Sequence, residues 1–141
     1  MTRLILALAL ALALGQARVA PAAEPLAQTY NAPIDRVWAA AEAVLKQLGW
    51  DIDRKDRSIG MITTESRQLE GEDYGVYAKG VRHRLTLHVK AAGESRTTVT
   101  IERDAFRRER ILWIDKDEPA GNAPGGTEVQ RAVLTAIAKA L

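Results

Sequence analysis

The side chains that do most enzyme chemistry are sparse in this sequence and badly placed for it. His83 and His88 are the only histidines, and there is no cysteine. Five residues apart on a strand, the two rings point to opposite faces and cannot hold one metal together. Asp51, Asp53 and Asp56 approach the spacing of a calcium loop, but Lys55 stands where an oxygen ligand is needed and no glycine follows in register. Asp115, Asp117 and Glu118 cluster around Lys116 with nothing apolar beside them, so neither carboxyl is desolvated for acid–base work. Ser58, Ser66 and Ser95 lie in no nucleophile-elbow context, and no phosphate loop or dinucleotide fingerprint occurs. These observations predict no catalytic residue, no metal and no cofactor, and hence a domain that is not an enzyme.

One charged feature points to binding instead. From Tyr74 to Gly93 there is no acid, while Lys79, Arg82, Arg84 and Lys90 are present. Arg82, Arg84 and Lys90 share one face of a strand, and Arg103, Arg107, Arg108 and Arg110 follow in the next part of the chain. Such a row suits an acidic protein surface or an anionic envelope component. It equally suits a solvated face whose arginines pair with Glu102, Asp104 and Glu109. The expected partner contacts are Arg82, Arg84 and Lys90, with Tyr74 and Tyr77 from the irregular, acid- and glycine-rich segment 67–79, read as an exposed loop.

The elements that must hold these residues follow a clear pattern. Residues 1–23 read as an export signal: a basic start at Arg3, an apolar run from Leu4 to Leu14, and small residues at Ala20-Pro-Ala22. The run falls short of the roughly 20 residues of a bilayer-spanning helix. Cleavage after Ala22 or Ala23 is expected, leaving a periplasmic domain at 24–141 with no integral span. Arg3 and Arg18 are the only charges of the signal, so the remaining chain balances eighteen bases against eighteen acids. A nucleic-acid reading loses its support with them.

Leu26 to Tyr30 fits a short first strand. Asn31 and Pro33 mark a helix start, and Ile34, Val37, Trp38, Ala41, Val44, Leu45 and Leu48 recur at helical spacing before Gly49. Trp50–Asp53 and Met61–Glu65 read as a hairpin. Val81, His83, Leu85, Leu87 and Val89 alternate with polar residues over 81–90, the clearest strand in the chain, and 97–104 returns antiparallel to it. Phe106 to Ile114 either continues the sheet or lies along its edge. Residues 115–126 have loop composition, and Thr127 with Gln130 suggests a capping box on a last helix whose apolar face is Val129, Ala132, Val133, Ala136, Ile137 and Leu141. The expectation is an α+β domain in the order β-α-β-β-β-β-α. It has an antiparallel sheet of four to six strands with two helices on one face. Trp38, Leu45, Leu85, Leu87, Val99 and Ile137 should share its core, and His83 should be a core-edge residue with satisfied ring nitrogens.

The run Pro33-Ile-Asp-Arg-Val-Trp38, then Leu45, Leu48-Gly-Trp50-Asp-Ile52, a turn from Asp56 to Gly60 and Met61-Ile-Thr-Thr64 resembles the helix-grip domains of the BamC family. These are accessory lipoproteins of the bacterial outer-membrane β-barrel assembly machinery. The resemblance implies a helix-grip fold and a non-catalytic role in binding a protein or envelope component, in the setting of outer-membrane protein assembly. The chain departs from that family in having no lipid-bearing cysteine and room for one such domain, where the family carries two. The Pro33 to Trp38 opening is also similar to START-like domains, which implies the alternative of a carrier for a small apolar ligand between sheet and C-terminal helix.

Overall fold

The computed structural model describes residues 24–121 and 123–141, so the expected signal at 1–23 lies outside the described residues. The element order is β1 (Leu26–Tyr30), α1 (Ile34–Gln47), β2 (Ile52–Asp56), β3 (Met61–Thr64), β4 (Arg67–Asp73), β5 (Ala78–Gly93), β6 (Arg96–Ile111), β7 (Ile114–Pro119) and α2 (Glu128–Ala140). The fold is α+β, with every strand pair antiparallel and both helices packed on one face of the sheet.

The sheet is organised along the β5–β6 hairpin, two strands of 16 residues each. At its proximal half, β1 pairs with β6 and β3 with β5, and β2 lies outside β3, giving the order β1-β6-β5-β3-β2. At its distal half, the same lanes are taken over by β4 beside β5 and by β7 beside β6. Seven strands result, against the four to six expected. β4 replaces the expected 67–79 loop, and β7 occupies the first part of the expected 115–126 loop. Both are exposed edge strands with no buried face, so neither carries the apolar alternation that marks a strand in sequence. Gly71 and Gly80 sit opposite each other just past the β4 bulge at Leu69, and a Cβ on either would fall 2.2 Å and 2.1 Å, respectively, from the other strand's backbone oxygen.

The helices cover only the proximal half. Val37, Trp38, Ala41, Val44 and Leu45 of α1 meet Leu85, Leu87 and Val89 of β5, Val99 and Ile101 of β6, and Val133, Leu134 and Ile137 of α2 in one core. The six expected core residues are all in it. Tyr30 closes the β1 end: its hydroxyl donates to the Leu134 carbonyl at 2.6 Å, and burial pushes its phenol up to about 12, so it stays a donor.

Several helix details differ from expectation. Pro33, not Asn31, is the N-cap of α1, and its carbonyl accepts from Arg36 and Val37. Gly49 follows the helix at φ +79°, the left-handed residue that ends it, and β2 starts at Ile52. No capping box forms on α2: the Gln130 side chain is fully buried and donates through Nε2 to the carbonyls of Ile101 and Glu24. With Gln130 turned inward, the buried face is Gln130, Val133, Leu134 and Ile137, and Ala132 faces out.

Candidate functional site

The face of the sheet away from the helices carries Arg82, Arg84 and Lys90 together, at even positions of β5 as their spacing requires. Each is engaged within the chain. Arg82 donates to the hydroxyl and carbonyl of Ser66, both at 2.8 Å, Arg84 to Asp104 at 3.2 Å, and Lys90 to the Ile59 carbonyl at 2.6 Å. The same face continues with His88 beside Glu102 (3.6 Å) and Arg108 on Asp117 (2.8 Å). Arg84 and Arg108 lie over the Phe106 ring, their guanidinium carbons 4.9 and 5.3 Å from its centroid. Phe106 is thereby buried on a face that has no helix. A partner docking on this row would first have to break these contacts.

Tyr74 and Tyr77 lie elsewhere, at the far end of the distal half, where two hairpin tips meet. The β6–β7 connection is a two-residue turn made of Leu112 and Trp113, at φ 51° and 70°. Turns of this shape are the natural place of Asn-Gly, because left-handed backbone costs an ordinary residue about 1–2 kcal/mol. Here the turn presents two large apolar side chains instead. Leu112, Trp113 and Ile114 are 62%, 71% and 73% exposed, and Ile111, Tyr74 and Tyr77 are more than half exposed. The Trp113 backbone N–H donates to the Val76 carbonyl at 3.3 Å, which ties the tips together, and a Cβ on Gly75 would stand 3.9 Å from the Trp113 ring.

Charge pairs brace this apolar end from behind. Arg110 reaches Asp115 (2.6 Å), Asp73 (3.2 Å) and the Gly75 carbonyl (3.1 Å), and thus joins β6, β7 and the β4–β5 turn. Its hydrogen bond holds the Asp115 carboxyl below the usual carboxylate range, and Arg108 does the same for Asp117. A groove of about 250 Å³ runs along the tip between Tyr74, Tyr77 and Ile111. The sequence reading includes the tyrosines but misses Ile111 to Ile114. The available signal is four apolar residues set between Arg110 and Asp115 with no glycine or asparagine to make the turn.

A second cluster sits on the helix side. His83 is 5% exposed and its ring lies 4.8 Å from that of Trp50, while the Arg67 guanidinium covers the same indole at 4.6 Å. Arg103, 4% exposed, donates from Nε to His83 Nδ1 at 2.9 Å and from its terminal nitrogens to the carbonyls of Gly126 and Pro124. Burial, then the charges of Arg103 and Arg67, push His83 down to about 4. Among the described residues no three His, Cys, Asp or Glu side chains converge as a metal site, and no helix is long and apolar enough to cross a membrane.

No family model matches the sequence, and no curated protein matches it either. Among solved structures, the chain is similar to the adenylate sensor from AMP-activated protein kinase, crystallised with 5-aminoimidazole-4-carboxamide 1-β-D-ribofuranotide. The match has a TM-score of 0.53 at 8% identity, over 78% of this chain and 93% of that one. A TBP-like protein from Parabacteroides distasonis aligns at a TM-score of 0.39 and 13% identity, over 82% of each chain. The first likeness is one of fold alone.

Proposed function

We propose that this chain is a non-enzymatic, exported envelope domain that docks on a partner protein through the apolar tip of its distal half. The observation that carries the reading is the tip itself: six large apolar side chains exposed together, two of them in left-handed backbone. Exposed apolar groups gathered at one end do nothing for folding and are suited to contact with a partner's apolar surface. The rim mixes Lys79, Arg110 and Lys116 with Glu72, Glu109 and Asp115, which favours a protein surface over an anionic membrane, since acids at the rim would repel the headgroups. The periplasmic setting, with a signal removed after Ala22 or Ala23, and a place in outer-membrane protein assembly rest on the leader pattern and the resemblance to BamC. The packing favours docking over carriage of an apolar ligand enclosed in the core, because fully buried Leu45, Leu87, Ile101 and Ile137 occupy the space between helices and sheet.

The test compares two variants by crosslinking and co-purification from native envelopes. Replacing Leu112, Trp113 and Ile114 by serine should abolish partner recovery without lowering the thermal midpoint. Replacing Arg82, Arg84 and Lys90 by glutamate should leave recovery in place. Normal recovery with the serine variant, or tight binding of the protein alone to anionic phospholipid vesicles, would overturn the reading.

A further inference from the structure

The second cluster opens into a cleft of about 350 Å³ on the helix side, between the end of α1, the first turns of α2 and the start of β4. It is separate from the tip and shares no lining residue with the groove there. Its walls are apolar: Leu48, Trp50, Leu69, Val129 and Val133. Its polar side chains include Arg67 and His83.

The two offer donors without acceptors. His83 Nδ1 accepts from Arg103, so the proton of the neutral ring sits on Nε2, which makes no hydrogen bond to the described chain. At neutral pH the ring stays uncharged, held there by burial and by the arginines around it. Arg67 spends one terminal nitrogen on the Leu48 carbonyl at 3.0 Å and keeps the rest of its donors. Arg103 lies directly behind His83. Neither Arg67 nor Arg103 has a carboxylate within ion-pair distance among the described residues, although this chain pairs Arg57, Arg84, Arg108 and Arg110 with acids. An almost fully buried guanidinium balanced only by carbonyls and a neutral imidazole leaves the cleft with net positive potential in a medium that screens it poorly.

We infer that this cleft binds a small anionic amphiphile, its carboxylate or phosphate head on Arg67 and His83 Nε2–H and its short apolar body against Leu48, Leu69 and Val129, the apolar lining residues that keep free surface. A planar guanidinium suits either head. A bare inorganic anion is the poorer ligand, because it would leave Leu48, Leu69 and Val129 uncovered. The inference does not depend on the docking reading.

Calorimetric titration of the whole mature chain tests it with octanoate, octyl phosphate, octanol and inorganic phosphate. The two amphiphiles should bind, with the tighter of them identifying the head, and octanol and inorganic phosphate should bind at least about tenfold more weakly. Arg67→Gln should cost about tenfold in affinity for the amphiphiles with little change in thermal midpoint, since the side chain is exposed, and Arg67→Lys should recover part of it. The His83 ring resonances should titrate at higher pH in the complex, a change that a merely structural Arg67 would not produce. Octanol binding as tightly as octanoate, no binding of either amphiphile, or unchanged affinity in Arg67→Gln would overturn the inference. Normal amphiphile binding by the tip serine variant, with partner recovery lost, would separate the two sites.

Discussion

His83 makes the stability of the whole domain sensitive to mild acid. Its ordinary value is 6.5 and the folded value about 4, so between these the unfolded chain binds more protons and stability rises with pH. The contribution is complete above about 6.5 and is lost as pH falls through the folded value. At about 1.4 kcal/mol per pH unit the window is worth at most roughly 3.5 kcal/mol. Asp115 and Asp117 are depressed below 3.8 and give way only below that value, leaving the window itself to His83. Urea unfolding from pH 7 to pH 4 should show the slope, and His83→Phe should flatten it whatever its baseline stability; an unchanged slope would place the proton elsewhere. The inward position of His83 was legible from the alternation of β5. Its partner was not. Arg103 stands in register with Thr97, Val99 and Ile101, but the carbonyls that justify burying it come from Pro124 and Gly126, more than twenty residues further along a stretch with only loop composition.

The elements that bury a face were the ones open to reading. Period-two alternation marked the proximal part of β5, which the structure extends to Ala78–Gly93, and helical spacing marked α1, which it trims to Ile34–Gln47. Leu87, fully buried at the centre of that pattern, should cost about 2–5 kcal/mol when replaced by alanine, measured by urea unfolding at neutral pH. A loss below about half a kcal/mol would mean that the strand's faces are exchanged. β4 and β7 were illegible for the complementary reason. Their positions are set by partners across the sheet, Asp117 on Arg108 and Asp115 on Arg110 for β7 and Asp73 on Arg110 for the end of β4, and charge pairs leave no periodic trace in hydropathy. In α2 a single polar residue misled the pattern. Gln130 reads as half of a capping box, whereas its amide spans from the helix to the β6 backbone, with Oε1 buried and without a partner among the described residues.

At the scale of the molecule, one continuous hairpin belongs to two environments. Its proximal half lies under both helices, and its distal half is held by edge strands, ion pairs and the arginines stacked on Phe106. Native-state hydrogen exchange should divide accordingly. Amides of Leu85, Leu87, Val99 and Ile101 should open only with global unfolding, and those of Lys79 and Glu109 should open at distinctly lower free energy. Equal protection along the whole of β5 would show that the edge strands hold as firmly as the helices. The uncovered half also changes what substitution can do to this protein over many generations. Residues that hold the core and residues that meet the outside world sit at opposite ends of the same two strands. On the proposed docking role, a lineage could therefore exchange the sequence of the tip for a new specificity while the covered end keeps the chain above its folding threshold.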